Sequence, residues 1–312
     1  MKKLFLSCWI MCLGTLSIHA QLLNNKFGNA FTDKPYFNEE IVKRNKIKQI
    51  SGKFTMKKVG DIMRESELQR TYEFDQDGRL ILSHETVPSN KGYDTLITYF
   101  EYDDRGNLNI IRRKDQYGFH VEYVEYDSLN RIVREEKRRN INKNANNLKF
   151  ELGEEFVVSY ETSKYSDYGD QVKRTIYNSY GIPYRDEINY YNEDSVLIEK
   201  VDKLRRTSGR KQTFYKYNEF GLLDSLQTIS NQSGRNEEKL YTFEYDAQHN
   251  LVAKKYYRNG VYQTEFQILY DEATYLINYI LTREVKTDYI TVLKLDNYTF
   301  YSNTPRVKRF SD

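Results

Sequence analysis

The chain has 312 residues, with 48 basic against 45 acidic side chains and a formal net charge of +3. Such a balance argues against a dedicated nucleic-acid binder, which needs a concentrated basic stripe. With 29 Tyr and 16 Phe but four Pro and 15 Gly, it is no disordered linker; Tyr, with its apolar body and polar tip, suits a half-wet sheet.

The first residues, Met1-Lys2-Lys3, are basic and Leu4 to Ile18 are mostly apolar. Ile18-His19-Ala20 before Gln21 forms a signal-peptidase-like site. The pattern predicts a secretory signal peptide over 1–20, too short for a membrane span and followed by polar sequence, so the mature chain carries no transmembrane segment. The expected location is periplasmic, outer-surface or secreted. Both cysteines, Cys8 and Cys12, lie in this leader, so the exported chain would use no disulfide or thiolate chemistry. Ile10-Met11 before Cys12 lacks the small residues needed for lipid attachment.

Residues 21–68 read as an N-terminal arm, a short helix and a capping strand. Residues 21–37 have no periodicity and suggest a loose arm. Asn38 followed by Glu39-Glu40-Ile41-Val42 predicts an N-capped helix to about Asn45. Ile47 to Val59 reads as a first strand. Repeats then fill 69–285, with an Asn-rich polar insertion at 140–149 expected to be a mobile loop. Residues 286–312 supply a capping strand through Tyr289, Thr291 and Leu293, and a basic tail.

The repeated unit is a hairpin. In Phe74-Asp75-Gln76-Asp77-Gly78-Arg79-Leu80, the Asp can accept bonds from backbone two residues on, and the Gly can take positive φ. Asp-x-x-Gly therefore predicts a type I turn closed by a G1 bulge, with Phe74 facing Leu80 and Tyr72 facing Leu82. The same reasoning pairs Tyr102 with Leu108, Tyr126 with Ile132, Tyr217 with Leu223 and Tyr245 with Leu251. Weaker copies run from Tyr191 to Leu197 and from Tyr270 to Leu276; a distorted one starts at Tyr165, with Gly169 in place and Val172 one residue late. Asn130 and His249 suit the Gly position; Ser195 and Thr274 fit poorly, so those turns should differ. Thr175 to Tyr184 holds an extra turn, around Asn178, of another type. The turn-leading aromatics recur about every 26 residues, the mark of stacked repeats that cover one another.

The unit aromatic-x-Tyr-Asp-x-x-Gly-Arg/Asn-Leu resembles the YD repeat of the rearrangement-hotspot (RHS) family, best at Tyr72 to Leu80, Phe100 to Leu108 and Phe243 to Leu251. The likeness spans roughly residues 70 to 276. It implies strands from successive repeats in a long coiled antiparallel sheet, in that family often a shell around a toxin segment. No toxin-like extension follows these repeats, and a closer comparison is with short, exported, Tyr- and Asn-rich repeat proteins of Bacteroidetes-type bacteria. The expected fold is all-β: antiparallel hairpin repeats forming a long curled sheet of about sixteen strands, with one short helix. The sheet should curl on itself and bury Tyr72, Phe74, Phe100, Tyr102, Tyr126, Tyr217, Phe243 and Tyr245 inside a trough, a barrel-like coil or two packed layers, with strands 47–59 and 289–293 closing its edges.

No catalytic, cofactor-binding or metal-ligating set stands out. Asp75-Gln76-Asp77-Gly78 resembles the start of a calcium loop, but position 84 is His where a Glu is required. His84, His120 and His249 share no metal-ligand spacing. The arginine- and lysine-rich runs at 112–114 and 137–139 sit beside Asp115 and Glu135-Glu136, as on a solvated strand face. The favoured role is a non-enzymatic binding or scaffold module of the cell envelope, with an envelope protein or polysaccharide as partner and no nucleic acid. A toxin-associated or catalytic member of the repeat family, or a carbohydrate-binding surface, is the alternative.

Overall fold

The computed structural model describes residues 21–302 apart from 91, 116–117, 144–149 and 233. Its short helix, α1 (Glu39–Arg44), has acids in its first turn and bases in its last, matching the helix dipole, although the Asn38 side chain makes no capping bond. Eighteen strands follow: β1 (Ile47–Lys57), β2 (Arg64–Phe74), β3 (Leu80–Ser89), β4 (Gly92–Tyr102), β5 (Leu108–Asp115), β6 (Gly118–Tyr126), β7 (Ile132–Asn142), β8 (Leu152–Asp167) and β9 (Gln171–Tyr177) make the first half. The second half is β10 (Pro183–Tyr191), β11 (Leu197–Leu204), β12 (Arg210–Tyr217), β13 (Leu223–Ser230), β14 (Glu237–Tyr245), β15 (Leu251–Arg258), β16 (Val261–Tyr270), β17 (Ile277–Glu284) and β18 (Tyr289–Phe300).

Each strand pairs antiparallel with the next. β1 also pairs with β18, placing Phe54 opposite Leu293 and Thr55 opposite Val292. The sheet is therefore a closed up-and-down barrel, and the expectation of a long curled sheet with two capped edges is corrected. The two segments assigned to opposite edges pair with each other, which leaves no edge to protect.

In this meander the turns after even-numbered strands share one end, here the Asx end, and those after odd-numbered strands share the far end. At the Asx end the turn chemistry is that of the repeat. Asp75 Oδ1 accepts from the backbone N–H groups of Asp77 and Arg79, both at 2.9 Å. Asp103, Asp127, Asn192, Asn218 and Asp246 do the same. Gly78, Gly106 and Gly221 take φ of +83°, +84° and +73°. Phe74/Leu80, Tyr102/Leu108, Tyr126/Ile132, Tyr217/Leu223 and Tyr245/Leu251 are direct partners.

Several details differ from the sequence reading. Tyr72 faces Ser83, not Leu82, because the bulge beside Phe74 shifts the register by one. Ser195 adopts φ +57° in an ordinary copy of the turn, and Tyr191 faces Leu197. After Tyr270 the turn is one residue longer, Tyr275 takes the left-handed conformation, and Tyr270 faces Ile277 rather than Leu276. In the distorted copy Tyr165 faces Arg174, and Val172 faces Asp167. The turn at Asn178 is not of another type: Asn178 Oδ1 accepts from Tyr180 and Ile182 in the repeat manner, but at the far end. Asn140 belongs to β7 and is fully buried; of the proposed mobile loop, 144–149 lie outside the described residues, as do the leader 1–20 and the tail 303–312.

The repeat tyrosines have a second task. The Tyr102 hydroxyl donates to the Leu80 carbonyl at 2.9 Å. Tyr126, Tyr165, Tyr217, Tyr245, Tyr270 and Tyr298 donate likewise to Leu108, Ile132, Leu197, Leu223, Leu251 and Ile277. In each case the receiving residue opens a strand, and its backbone pairing to the tyrosine's strand begins only beyond it. The phenol occupies a carbonyl that the ladder leaves open, tying each hairpin to the next.

Candidate ligand-binding site in the barrel lumen

The arm is not loose. Leu22, Leu23, Ala30, Tyr36, Phe37 and Val42 are buried. Gly28 lies against Leu226 and Phe243, on β13 and β14, while Asp33 forms an ion pair with Arg113 of β5 at 2.9 Å. Those walls are at least eight strands apart, roughly 38 Å along the sheet. The five residue-to-residue steps from Gly28 to Asp33 reach at most about 18 Å. The arm must therefore cross the lumen as a chord, and the face it touches is the inner one. Its absence of periodicity has this origin: it is buried by wall on several sides, so no single face is marked in its sequence.

Four contacts hold the crossing. Phe31 stacks on Phe266 with centroids 5.1 Å apart, and Phe37 packs edge-on against Tyr72 and Phe74. Asn25 donates to the Tyr245 hydroxyl at 3.2 Å. Lys254, 4% exposed on β15, donates through Nζ to the Ala30 carbonyl at 2.6 Å and lies over the rings of Tyr241 and Phe266. Burial pushes its ammonium down to about 8. At the Asx end α1 seats on the first repeat turn, with Lys43 paired to Asp77 at 3.0 Å.

Beside the arm lies a cavity of about 450 Å³. Its apolar walls come from Phe54, Phe100, Phe266, Ile280 and Leu293; Ser83, Thr98, Thr282 and Thr291 add hydroxyls. Arg70 and Glu85, cross-strand partners on β2 and β3, form an ion pair at its wall. The Tyr36 and Tyr72 hydroxyls share a hydrogen bond of 2.7 Å next to it. Burial, with Tyr72 adding to it, raises the Tyr36 pKa well above the ordinary value, so this phenol stays neutral and remains a donor. The volume and the mixture of apolar walls with a few convergent polar groups are those of a small-molecule site.

The opposite arc of the lumen is charged. Glu135 on β7, Arg174 on β9, Glu187 on β10 and Lys200 on β11 form a row on the inner wall, with Glu135 paired to Arg174 and Lys200 to Glu187 at 2.8 Å. Burial alone would raise the Glu187 carboxyl, but Lys200, Arg174 and Arg185 together outweigh it and the net shift is downward. Asp202 is raised by burial.

The outer wall carries charges at mid-strand, among them the pairs Arg112–Glu101, Arg138–Glu136 at 2.5 Å and Lys255–Glu244. A lysine or arginine facing lipid at the bilayer midplane costs about 2–4 kcal/mol, so this wall is built for water and not for hydrocarbon. Among the described residues no helix is long and apolar enough to cross a membrane.

No catalytic, cofactor-binding or metal-ligating residue is marked in the sequence. His84, His120 and His249 sit on β3, on β6 and in the β14–β15 turn, and are not brought together; among the described residues no group of three His, Cys, Asp or Glu could hold a metal. The lumen residues went unnamed although one signal existed: Arg70 shares parity with the buried Tyr72 and Phe74, an inward charge that needs a partner.

No family model matches the chain. No curated protein matches it. Among solved structures it is similar to a porin-like protein from Bacteroides uniformis, with 14% identity over 82% of this chain and 97% of that one and a TM-score of 0.37. A porin-like protein from Bacteroides vulgatus shares 12% identity over 78% and 96% of the two chains, TM-score 0.32. The TcdB2-TccC3 structure shares 11% over 77% of this chain and 15% of that one, TM-score 0.21. Likeness at these scores carries no weight for role, and the barrel rests on its own strand pairings.

Proposed function

We propose that the chain is an exported, non-enzymatic binding module of the cell envelope, a short relative of the YD-repeat proteins, whose lumen holds one small amphipathic ligand beside the arm. The carrying observation is the cavity of about 450 Å³, inside the range of roughly 300–1,000 Å³ usual for small-ligand sites. An apolar body would lie against Phe54, Phe100 and Phe266, and a polar end would meet Arg70, Glu85 and the Tyr36 hydroxyl. The leader-like residues 1–20 support export, and the repeat pattern supports the family reading. The sugar-platform alternative loses support because the repeat aromatics face the lumen: Tyr72, Phe74, Phe100 and Phe243 are buried, and Tyr102, Tyr126, Tyr217 and Tyr245 half-buried.

The test fills the cavity. Ser83 and Thr98 are partners on its wall, and Ser83→Trp would occupy it. The chain should take up one equivalent of N-phenyl-1-naphthylamine, displaceable by dodecanoate, and Ser83→Trp should weaken uptake at least tenfold with an unchanged circular dichroism spectrum. Equal uptake by a folded Ser83→Trp protein would reject the lumen site.

A further inference from the structure

The near-zero net charge conceals a strong separation. Meander topology sends the repeat turns to one end, and these carry twelve acidic residues against three basic ones, Arg79, Arg105 and Arg131. Among the described residues of the far-end connections the balance reverses, six basic against three acidic. Lys58, Arg206, Arg235 and Lys286 come from four different connections.

Exposed apolar side chains stand at the same end, Ile62 in the connection that holds Lys58. Ile62 is 71% exposed, Tyr180 85% and Val261 60%. They stand in or beside three separate far-end connections, and thus are spread over that end instead of forming one patch. The Asx end also exposes Leu129 and Phe220, on turns that together are strongly acidic.

We infer that the far end is a docking face for an anionic lipid bilayer, which seats the barrel upright with its acidic end away from the membrane. Exposed apolar tips and bases carried at the same end match the two attractions of such a surface: shallow burial at the headgroup boundary and the negative surface potential. The acidic end supplies orientation, since the same potential repels it. The charged outer wall stays in water, so this is surface attachment and not insertion. The inference is independent of the lumen ligand.

The experiment is co-sedimentation of the full chain with vesicles of phosphatidylglycerol and phosphatidylcholine mixed equally, against vesicles of phosphatidylcholine alone, at low and high salt. Each basic residue near such a surface contributes about fivefold in affinity. The double variant Lys58→Glu/Arg206→Glu should therefore lose at least tenfold on the anionic vesicles, and Ile62→Ser/Val261→Ser several-fold in high salt. The control Glu193→Lys/Glu219→Lys, at the acidic end, should retain full binding. Residues 1–20 are common to all these chains, so differences read the loops alone. Equal binding by wild type and both far-end variants would overturn the inference. So would head-to-tail self-association in place of vesicle binding, with loss of far-end charge abolishing assembly.

Discussion

The Tyr245 hydroxyl donates to the Leu223 carbonyl across 2.8 Å, from the last residue of β14 to the first of β13. Backbone pairing between these strands begins only at Ser225 and Thr242. The repeat tyrosine thus extends the sheet where its ladder stops, and the same bond recurs around the barrel. Aromatic bulk alone does not explain a tyrosine at this position; the phenol has a carbonyl to satisfy.

Tyr217→Phe keeps the ring and removes the bond to Leu197. It should lower unfolding free energy by about 1 kcal/mol. Tyr191 is the contrast. There β9–β10 pairing continues to Tyr190 opposite Gln171, and the Tyr191 backbone N–H itself bonds the Asp170 carbonyl. Tyr191→Phe should change stability by less than about 0.5 kcal/mol. Urea denaturation of both variants checks the pair.

Gly78 and Gly221 both need positive φ, so alanine strains the backbone at either. They differ in surroundings. A Cβ at Gly221 meets nothing, whereas at Gly78 it would collide with the Glu39 carbonyl of α1. Gly78→Ala should cost at least about 1 kcal/mol more than Gly221→Ala. It should also make the arm susceptible to limited proteolysis while the barrel resists. Equal effects would show that α1 does not seat on this turn.

Lys254 provides a pH signature. Its folded-state value of about 8 lies below that of an unfolded lysine. Between pH 8 and pH 10 the unfolded chain keeps a proton that the native chain releases, so this residue makes stability rise with pH, by up to about 2 kcal/mol. Below pH 8 both states are charged and the slope vanishes. Lys254→Met should lack the rise; a wild-type profile parallel to that of Lys254→Met from pH 7 to 10 would contradict the buried placement.

Hairpin register was legible because it is local: an Asp or Asn oxygen and a residue tolerant of positive φ act within five positions, as at Asp75 and Gly78. Even Ser195 follows the turn, since Asn192 and the adjoining strands outweigh a poor fit at one position. Closure was not legible. Whether Phe54 meets Leu293 depends on the twist summed over eighteen strands and on residues 239 positions apart, which no local pattern records. The lumen site was hidden for the same reason. Phe31 and Phe266 stack only after the barrel closes and the arm crosses it.

Closure is the claim on which the lumen and the crossing arm both depend. Thr55 and Val292 are direct partners across the β1–β18 seam, and paired strand residues have Cβ atoms about 5 Å apart. In a chain with Cys8 and Cys12 replaced by Ser, the substitutions Thr55→Cys and Val292→Cys should form an intramolecular disulfide under mild oxidation. Mass spectrometry of the digested monomer should recover the two linked peptides in near-stoichiometric yield. Free thiols on both peptides in a folded, oxidised monomer would show an open sheet and contradict the barrel.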